Sequence, residues 1–154
     1  MPSQHPYDTY FDEALKWAQR AADLNEVPVG AVVVLENKIV GGGHNLKETN
    51  HDPCGHAELL ALQDAAKKLK SWRLLNCDVY VTLEPCAMCL GAMQLARVKR
   101  VIYGANDPKG GAISLGHHIH QDSRLNHRFD AELYPRSDCE MILKEFFRKA
   151  RSKK

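Results

Sequence analysis

Phe11, Leu15, Ala18 and Ala22 recur at intervals of four, three and four residues, which places them on one face of a helix near the start of the chain, with Asp8 able to cap it. A near-continuous apolar run over residues 27–35 predicts a strand buried on both faces. Asn37-Lys38 then turns tightly into Ile39-Val40, and the glycines at 41–43 are expected to end this second strand. Residues 45–53 read as a loop. From 55 to 69 the period is helical: Leu59, Leu62, Ala66 and Leu69 share a face, with His56 and Glu58 in the first turn. A strand over 78–83, a helix over 86–96 and a strand over 98–104 follow. After a turn-rich loop (105–111) and a short helical or irregular piece comes a strand at 128–134. Pro135 breaks it, and Ser137 or Asp138 can cap a last helix bearing Met141, Ile142, Phe146 and Phe147.

Strands and helices alternate without repeats or low-complexity tracts, which argues for one α/β sheet covered on both faces. At 154 residues the chain reads as one domain over its whole length, and 44% hydrophobic residues exclude a disordered chain. No run of about 18 apolar residues is present to span a membrane. Residues 1–10 hold no signal-peptide core, so the expected location is the cytoplasm.

The chemistry is concentrated in two short segments. His56-Ala57-Glu58 is followed, after 26 intervening residues, by Pro85-Cys86-Ala87-Met88-Cys89. Five cysteines are an odd number, and a C-x-x-C with an upstream His in a reducing compartment favours a metal over a disulfide. Cys86 and Cys89 are three apart at a helix start, so both sulfurs lie on one face, where free N–H groups favour thiolates. His56 opens a second helix. If the two helices follow neighbouring strands, their N-termini meet outside the carboxyl ends of the sheet, where α/β proteins bind ligands. Three protein ligands leave a zinc ion its fourth position for water, whose pKa falls to about 7. A carboxylate two residues from the ligand His is then placed to carry protons. The pattern H-x-E then P-C-x-x-C is the described signature of zinc nucleobase deaminases.

The competing interpretation is a zinc knuckle that only staples the fold. It needs a fourth Cys or His, which only Cys54 or a distant His offers, and it gives Glu58 no purpose. Cys77 and Cys139 read as buried, inert thiols. His117, His118 and His120 in a polar loop read as solvent- or RNA-facing. Charge is unevenly spread: before residue 37 six acidic residues face Lys16 and Arg20 alone. From Lys144 onward Lys144, Arg148, Lys149, Arg151, Lys153 and Lys154 face only Glu145. Such a helix is either a solvated face or a contact for phosphates.

Beyond the motif, the chain resembles the cytidine deaminase-like superfamily and, within it, the bacterial tRNA-specific adenosine deaminases, from about residue 11 to 151. The segments that carry the resemblance are Glu26-Val27-Pro28-Val29-Gly30-Ala31, His44-Asn45, Asp52-Pro53, Val81-Thr82-Leu83-Glu84-Pro85-Cys86 and Gly91-Ala92-Met93. Further on they are Tyr103-Gly104-Ala105-Asn106-Asp107, Asn126-His127-Arg128 and Phe146-Phe147 with its basic followers. The chain departs from the family pattern at Ile113-Ser114-Leu115-Gly116 and at Tyr134-Pro135-Arg136. The resemblance implies a three-layer α/β/α fold around a mixed sheet of about five strands. It implies hydrolytic deamination of adenosine to inosine at the wobble position of tRNA, with the anticodon stem-loop as partner, and a homodimer holding one Zn2+ per subunit. His56, Cys86 and Cys89 are then the ligands and Glu58 the catalytic proton carrier. Asn45 would hydrogen-bond the flipped base and Asp107 the ribose 2′-OH; Phe146, Phe147 and Arg148 would meet RNA. Deamination of a free base or nucleoside of guanine or cytosine type, and a zinc-stapled RNA-binding protein without turnover, are the alternatives.

Overall fold

Small residues decide how the helices lie on the sheet. In the computed structural model, which describes residues 5–152, helix α1 (Pro6–Asp23) buries Phe11, Ala14, Ala18 and Ala21. The buried stripe is thus rotated from the expected one, with Leu15 and Ala22 at its margin. His5, not Asp8, caps the helix: its Nδ1 accepts from the Tyr7 N–H. Asp8 instead accepts from the Tyr134 hydroxyl and from Arg136.

Strand β1 (Gly30–Leu35) starts later than the apolar run and is buried on both faces as expected. Glu36 and Asn37, both at positive φ, form the hairpin turn into β2 (Lys38–His44), one residue earlier than the Asn37-Lys38 reading. The three glycines lie inside β2, paired with Val33, Val32 and Ala31, where the sequence reading ended the strand. Their role is close approach. A Cβ on Gly41 would meet Ala65 N at 2.7 Å and Ala61 O at 2.8 Å, and one on Gly42 would meet the Trp17 indole at 2.4 Å. Helices therefore press on this strand from both sides.

Helix α2 (Ala57–Leu69) turns Ala57, Ala61 and Ala65 to the sheet. The larger face that the period singled out, Leu59, Leu62 and Ala66, lines a shallow groove against α3 (Ala87–Ala96). With β3 (Asp78–Val81), β4 (Arg100–Tyr103) and β5 (Asp130–Leu133) the sheet order is β2-β1-β3-β4-β5. β1 is antiparallel to both neighbours, while β3, β4 and β5 run parallel, so the sheet is mixed. Alternate strand residues feed two cores. Ala31, Val33, Val79, Val81, Val101 and Tyr103 pack with α2 and α3, and Val32, Val34, Tyr80 and Ile102 pack with α1 and Cys139 of α4 (Ser137–Ser152). This is the three-layer architecture. Each fully buried Val, Leu or Phe contributes about 1.5–3 kcal/mol relative to exposure.

The atypical 134–136 segment has a structural purpose: the half-buried Arg136 guanidinium bridges Asp8 and Asp12 of α1 to Asp138 of α4. Otherwise α4 buries little beyond Cys139, leaving Met141 and Phe147 exposed. Lys153 and Lys154 lie outside the described residues.

Candidate active site

Two helix starts converge beyond the carboxyl ends of β2 and β3, the antiparallel neighbours on either side of β1. His56 is the N-cap residue of α2 and Cys86 that of α3, both in extended conformation. Neither side chain caps its own helix, as Ser or Asp would do there. Both turn to a common point. His56 Nδ1 stands 3.5 Å from Cys86 Sγ and 3.5 Å from Cys89 Sγ, and the three donor atoms lie within 4.8 Å of one another. A tetrahedral zinc with bonds of about 2.3 Å to sulfur and about 2.0–2.1 Å to nitrogen sets its ligands about 3.5 Å apart. Two thiolates and an imidazole at that spacing fit such an ion. Cys54 is exposed and outside this group, so the described residues offer three ligands and no fourth.

The electrostatics favour the anionic sulfur. Cys86 is pushed down to about 4, first by the hydrogen bond from the Cys89 thiol and further by His56. Cys89, which keeps the shared proton and is buried, is pushed up correspondingly. The Cys86 sulfur in turn raises His56. The exposed N–H groups of both helix starts add to the pull on negative charge.

Glu58, one residue into α2 from Ala57, is 4% exposed. Burial raises its carboxyl to about 7, with the Cys86 charge acting in the same direction. A carboxyl near neutrality in a cleft is suited to taking and returning protons. It lines a cavity of about 190 Å³ with Val27, Val29, Asn45, Lys47, His56, Leu83, Glu84, Cys86 and Asp107. That is smaller than the about 300–1,000 Å³ of drug-sized pockets and suits one unstacked base.

Asn45 is fixed in the cavity wall: its Nδ2 donates to the Val27 carbonyl at 3.2 Å and its Oδ1 accepts from the Lys47 N–H at 3.1 Å. One amide hydrogen and one lone pair are left over. Asp107 sits at the rim, its Oδ1 accepting from the N–H groups of Lys109 and Gly110. From there a groove of about 610 Å³ runs past Lys109, Lys144, Phe147 and Arg151. Phe146 points elsewhere, into a cavity beside Gln19 and Ala22 at the end of α1, and Arg148 is paired with Glu145. The histidine cluster is split: His120 is buried, and burial lowers it, while His117 and His118 are exposed.

Two buried glutamates escaped the sequence reading of the site. Glu26, 1% exposed, accepts from the N–H groups of Glu48 and Thr49 and so fixes the loop between Asn45 and His56. These hydrogen bonds outweigh the burial that would raise its carboxyl, and the net direction is down. Glu84 grips the loop that carries Asp107. Each lies within a segment singled out for its resemblance, but nothing in spacing or period marks a carboxylate as buried.

The family model for MafB19-like deaminases matches residues 6–151. A tRNA-specific adenosine deaminase of Bacillus subtilis is 43% identical over 96% of this chain and 92% of its own length. One from Aquifex aeolicus is 43% identical over 90% of this chain and 92% of its own. Among solved structures, one from a study of A-to-I editing by tRNA:A34 deaminases at the wobble position is similar at 36% identity, with a TM-score of 0.79 over 84% of this chain and 100% of that one. A guanine deaminase from Bacillus subtilis is 35% identical, with a TM-score of 0.63 over 74% of this chain and 71% of that one. With two deaminase substrates among its neighbours, the fold alone does not choose between them; the near-complete match to the tRNA enzymes does, and the chain belongs to the MafB19-like deaminases, among the tRNA-specific adenosine deaminases.

Proposed function

We propose that this chain deaminates adenosine to inosine at the wobble position of tRNA, with zinc held by His56 Nδ1, Cys86 Sγ and Cys89 Sγ. The observation that carries the proposal is the open three-ligand group at the floor of a single-base cavity, with a buried carboxyl beside it. When bound, zinc supplies Lewis acidity that makes hydroxide available at neutral pH. The rest falls to the chain's own residues. Glu58 takes a proton from the attacking water and delivers one to N1 of the ring as C6 is attacked. It then takes the remaining proton of the oxygen added at C6 and passes it to the exocyclic amino group, which leaves as ammonia as the C6–N bond breaks. Water is consumed, and atoms balance as inosine plus ammonia.

Asn45 offers its remaining N–H and lone pair to the base edge, and Asp107 its Oδ2 to the ribose 2′-OH. The flipped nucleotide comes from a single-stranded loop, where unstacking is cheap. Its flanking phosphates follow the groove of Lys109, Lys144 and Arg151, with Phe147 as a stacking surface. Phe146 and Arg148 belong to the same RNA-facing helix but to faces turned from the cavity. Such a substrate puts the enzyme in the cytoplasm; among the described residues no helix is long and apolar enough to cross a membrane. The groove between α2 and α3, lined by Leu59, Leu62, Trp72 and Leu95, supports a homodimer, since Trp72 is 57% and Leu95 72% exposed in the single chain.

Ammonia release from zinc-loaded protein separates the readings. We expect it with an anticodon stem-loop bearing adenosine at the wobble position, and none with free guanine, cytosine or nucleosides. Release from a free base alone would favour the metabolic alternative, and none from any substrate would favour a zinc-stapled binding protein.

A further inference from the structure

Glu84 is a carboxylate at 3% exposure whose oxygens enter no salt bridge among the described residues. A buried carboxylate is costly unless hydrogen bonds replace its water. Here one loop supplies them all. Oε1 accepts from the Asp107 N–H at 3.0 Å and the Ser114 hydroxyl at 2.6 Å, and Oε2 accepts from the Ser114 N–H at 2.8 Å. The loop closes so tightly that a Cβ on Gly111 would lie 2.2 Å from the carboxylate. Backbone bonds stitch the two segments together on either side: Glu84 N–H donates to Ala105 O, and Ala112 N–H donates to Pro85 O. The same carboxylate stands two residues before Cys86 and lines the cavity.

An apolar side chain of equal volume would hold the loop down, but it would not fix where Asp107 points. Short charge-assisted hydrogen bonds are directional, and the one to the Asp107 N–H sets the residue whose carboxylate faces the rim. We propose that Glu84 is a positioning residue for the sugar of the target nucleotide: by holding Asp107 at the cavity rim it sets the preference for ribose over deoxyribose. The inference rests on the assignment of Asp107 to the ribose 2′-OH made under the proposed function. Ser114, in the segment that departs from the family pattern, is the partner through which this chain secures Glu84.

The test compares kcat/KM on an RNA stem-loop carrying adenosine with the same stem-loop carrying 2′-deoxyadenosine at the target position only. Asp107→Asn serves as the reference variant. Glu84→Gln keeps the volume but turns an N–H donor against at least one loop donor, and Ser114→Ala removes one hydrogen bond and is milder. Hydrogen bonds to charged groups have magnitudes that translate to about tenfold or more in rate constant. Glu84→Gln is therefore expected to reduce the ribose preference about tenfold, as Asp107→Asn does, with zinc content unchanged. Ser114→Ala is expected to reduce it by less, and it carries the test alone if Glu84→Gln fails to fold. A uniform loss on both substrates with the preference intact overturns the proposal and makes Glu84 a structural staple. If Asp107→Asn itself leaves the preference unchanged, both the ribose assignment and the proposal fall, whereas a change with Asp107→Asn alone removes only the proposal.

Discussion

Glu58 and Cys86 show how burial and position give ordinary residue types unlike duties. Glu58 is two residues from a ligand, so it can reach the reacting water without joining the metal. We expect Glu58→Gln to keep stoichiometric zinc and lose turnover by several orders of magnitude, since general acid–base catalysis alone supplies about 10²–10⁴-fold. Metal analysis of the purified variant checks the first half, and loss of zinc would make Glu58 a ligand. By contrast His56→Ala, Cys86→Ala and Cys89→Ala should each lose zinc, and Cys54→Ala should keep it. Cys86 yields a pH prediction for metal-free protein. Its folded-state pKa is pushed down to about 4, so the thiolate is present above that value and disappears only as pH falls through it. Iodoacetamide labelling of Cys86 in a Cys54→Ser background should therefore vary little between about pH 6 and about pH 8. A free thiol with pKa near 8.5 would rise steeply over that range. A steep rise for Cys86 would show that the hydrogen bond from Cys89 does not hold its proton away.

Among the elements, β2 and α2 form the pair on which the site depends. Gly41 and Gly43 face Ala65, Ala61 and Ala57 with no room for a Cβ, and this contact sets the angle at which α2 presents His56 and Glu58. Gly41→Ala should destabilise the fold by about 1–3 kcal/mol through overpacking, visible as a lower Tm, and should weaken zinc affinity as well. Unchanged stability would mean that α2 can shift without cost. The alternation of strands and helices was legible because each buried segment carries its own apolar period. The glycine run misled because Gly can either end a strand or permit close packing, and only the facing alanines of another element tell the two apart. The same blindness rotated the buried faces of α1 and α2: Leu15 and Leu59 outrank alanine in hydrophobicity, yet a closely packed sheet selects alanine. His56, Cys86 and Cys89 were legible because metal chemistry restricts residue type and spacing together. Glu26 and Glu84 were not, since their hydrogen-bond partners lie more than 20 residues away in sequence.

Across the whole molecule, charge and exposed apolar surface are sorted by face. The catalytic cavity opens into a groove whose cations are Lys109, Lys144 and Arg151; Lys144 is paired there with Glu140, and Arg148 and Lys149 are drawn to Glu145, all on their own helix. The basic tail is thus only partly available to phosphates, a division that charge counting along the sequence does not reveal. Replacing Lys109 and Arg151 with Gln should weaken stem-loop binding and reduce the salt slope by about 0.7 per cation removed, with kcat at saturating RNA less affected. Titration at several salt concentrations measures this; an unchanged slope would place the RNA on another face. The central claim is that a zinc-loaded site with Glu58 as its proton carrier hydrolyses the wobble adenosine of tRNA. Its most direct measurement is mass-spectrometric mapping of a full-length tRNA with wobble adenosine after incubation in water enriched in heavy oxygen. Inosine is expected at the wobble position alone, carrying heavy oxygen at the former amino carbon, with the wild-type enzyme, and none with Glu58→Gln. Unmodified adenosine with fully zinc-loaded wild-type enzyme, or equal conversion by Glu58→Gln, would contradict it.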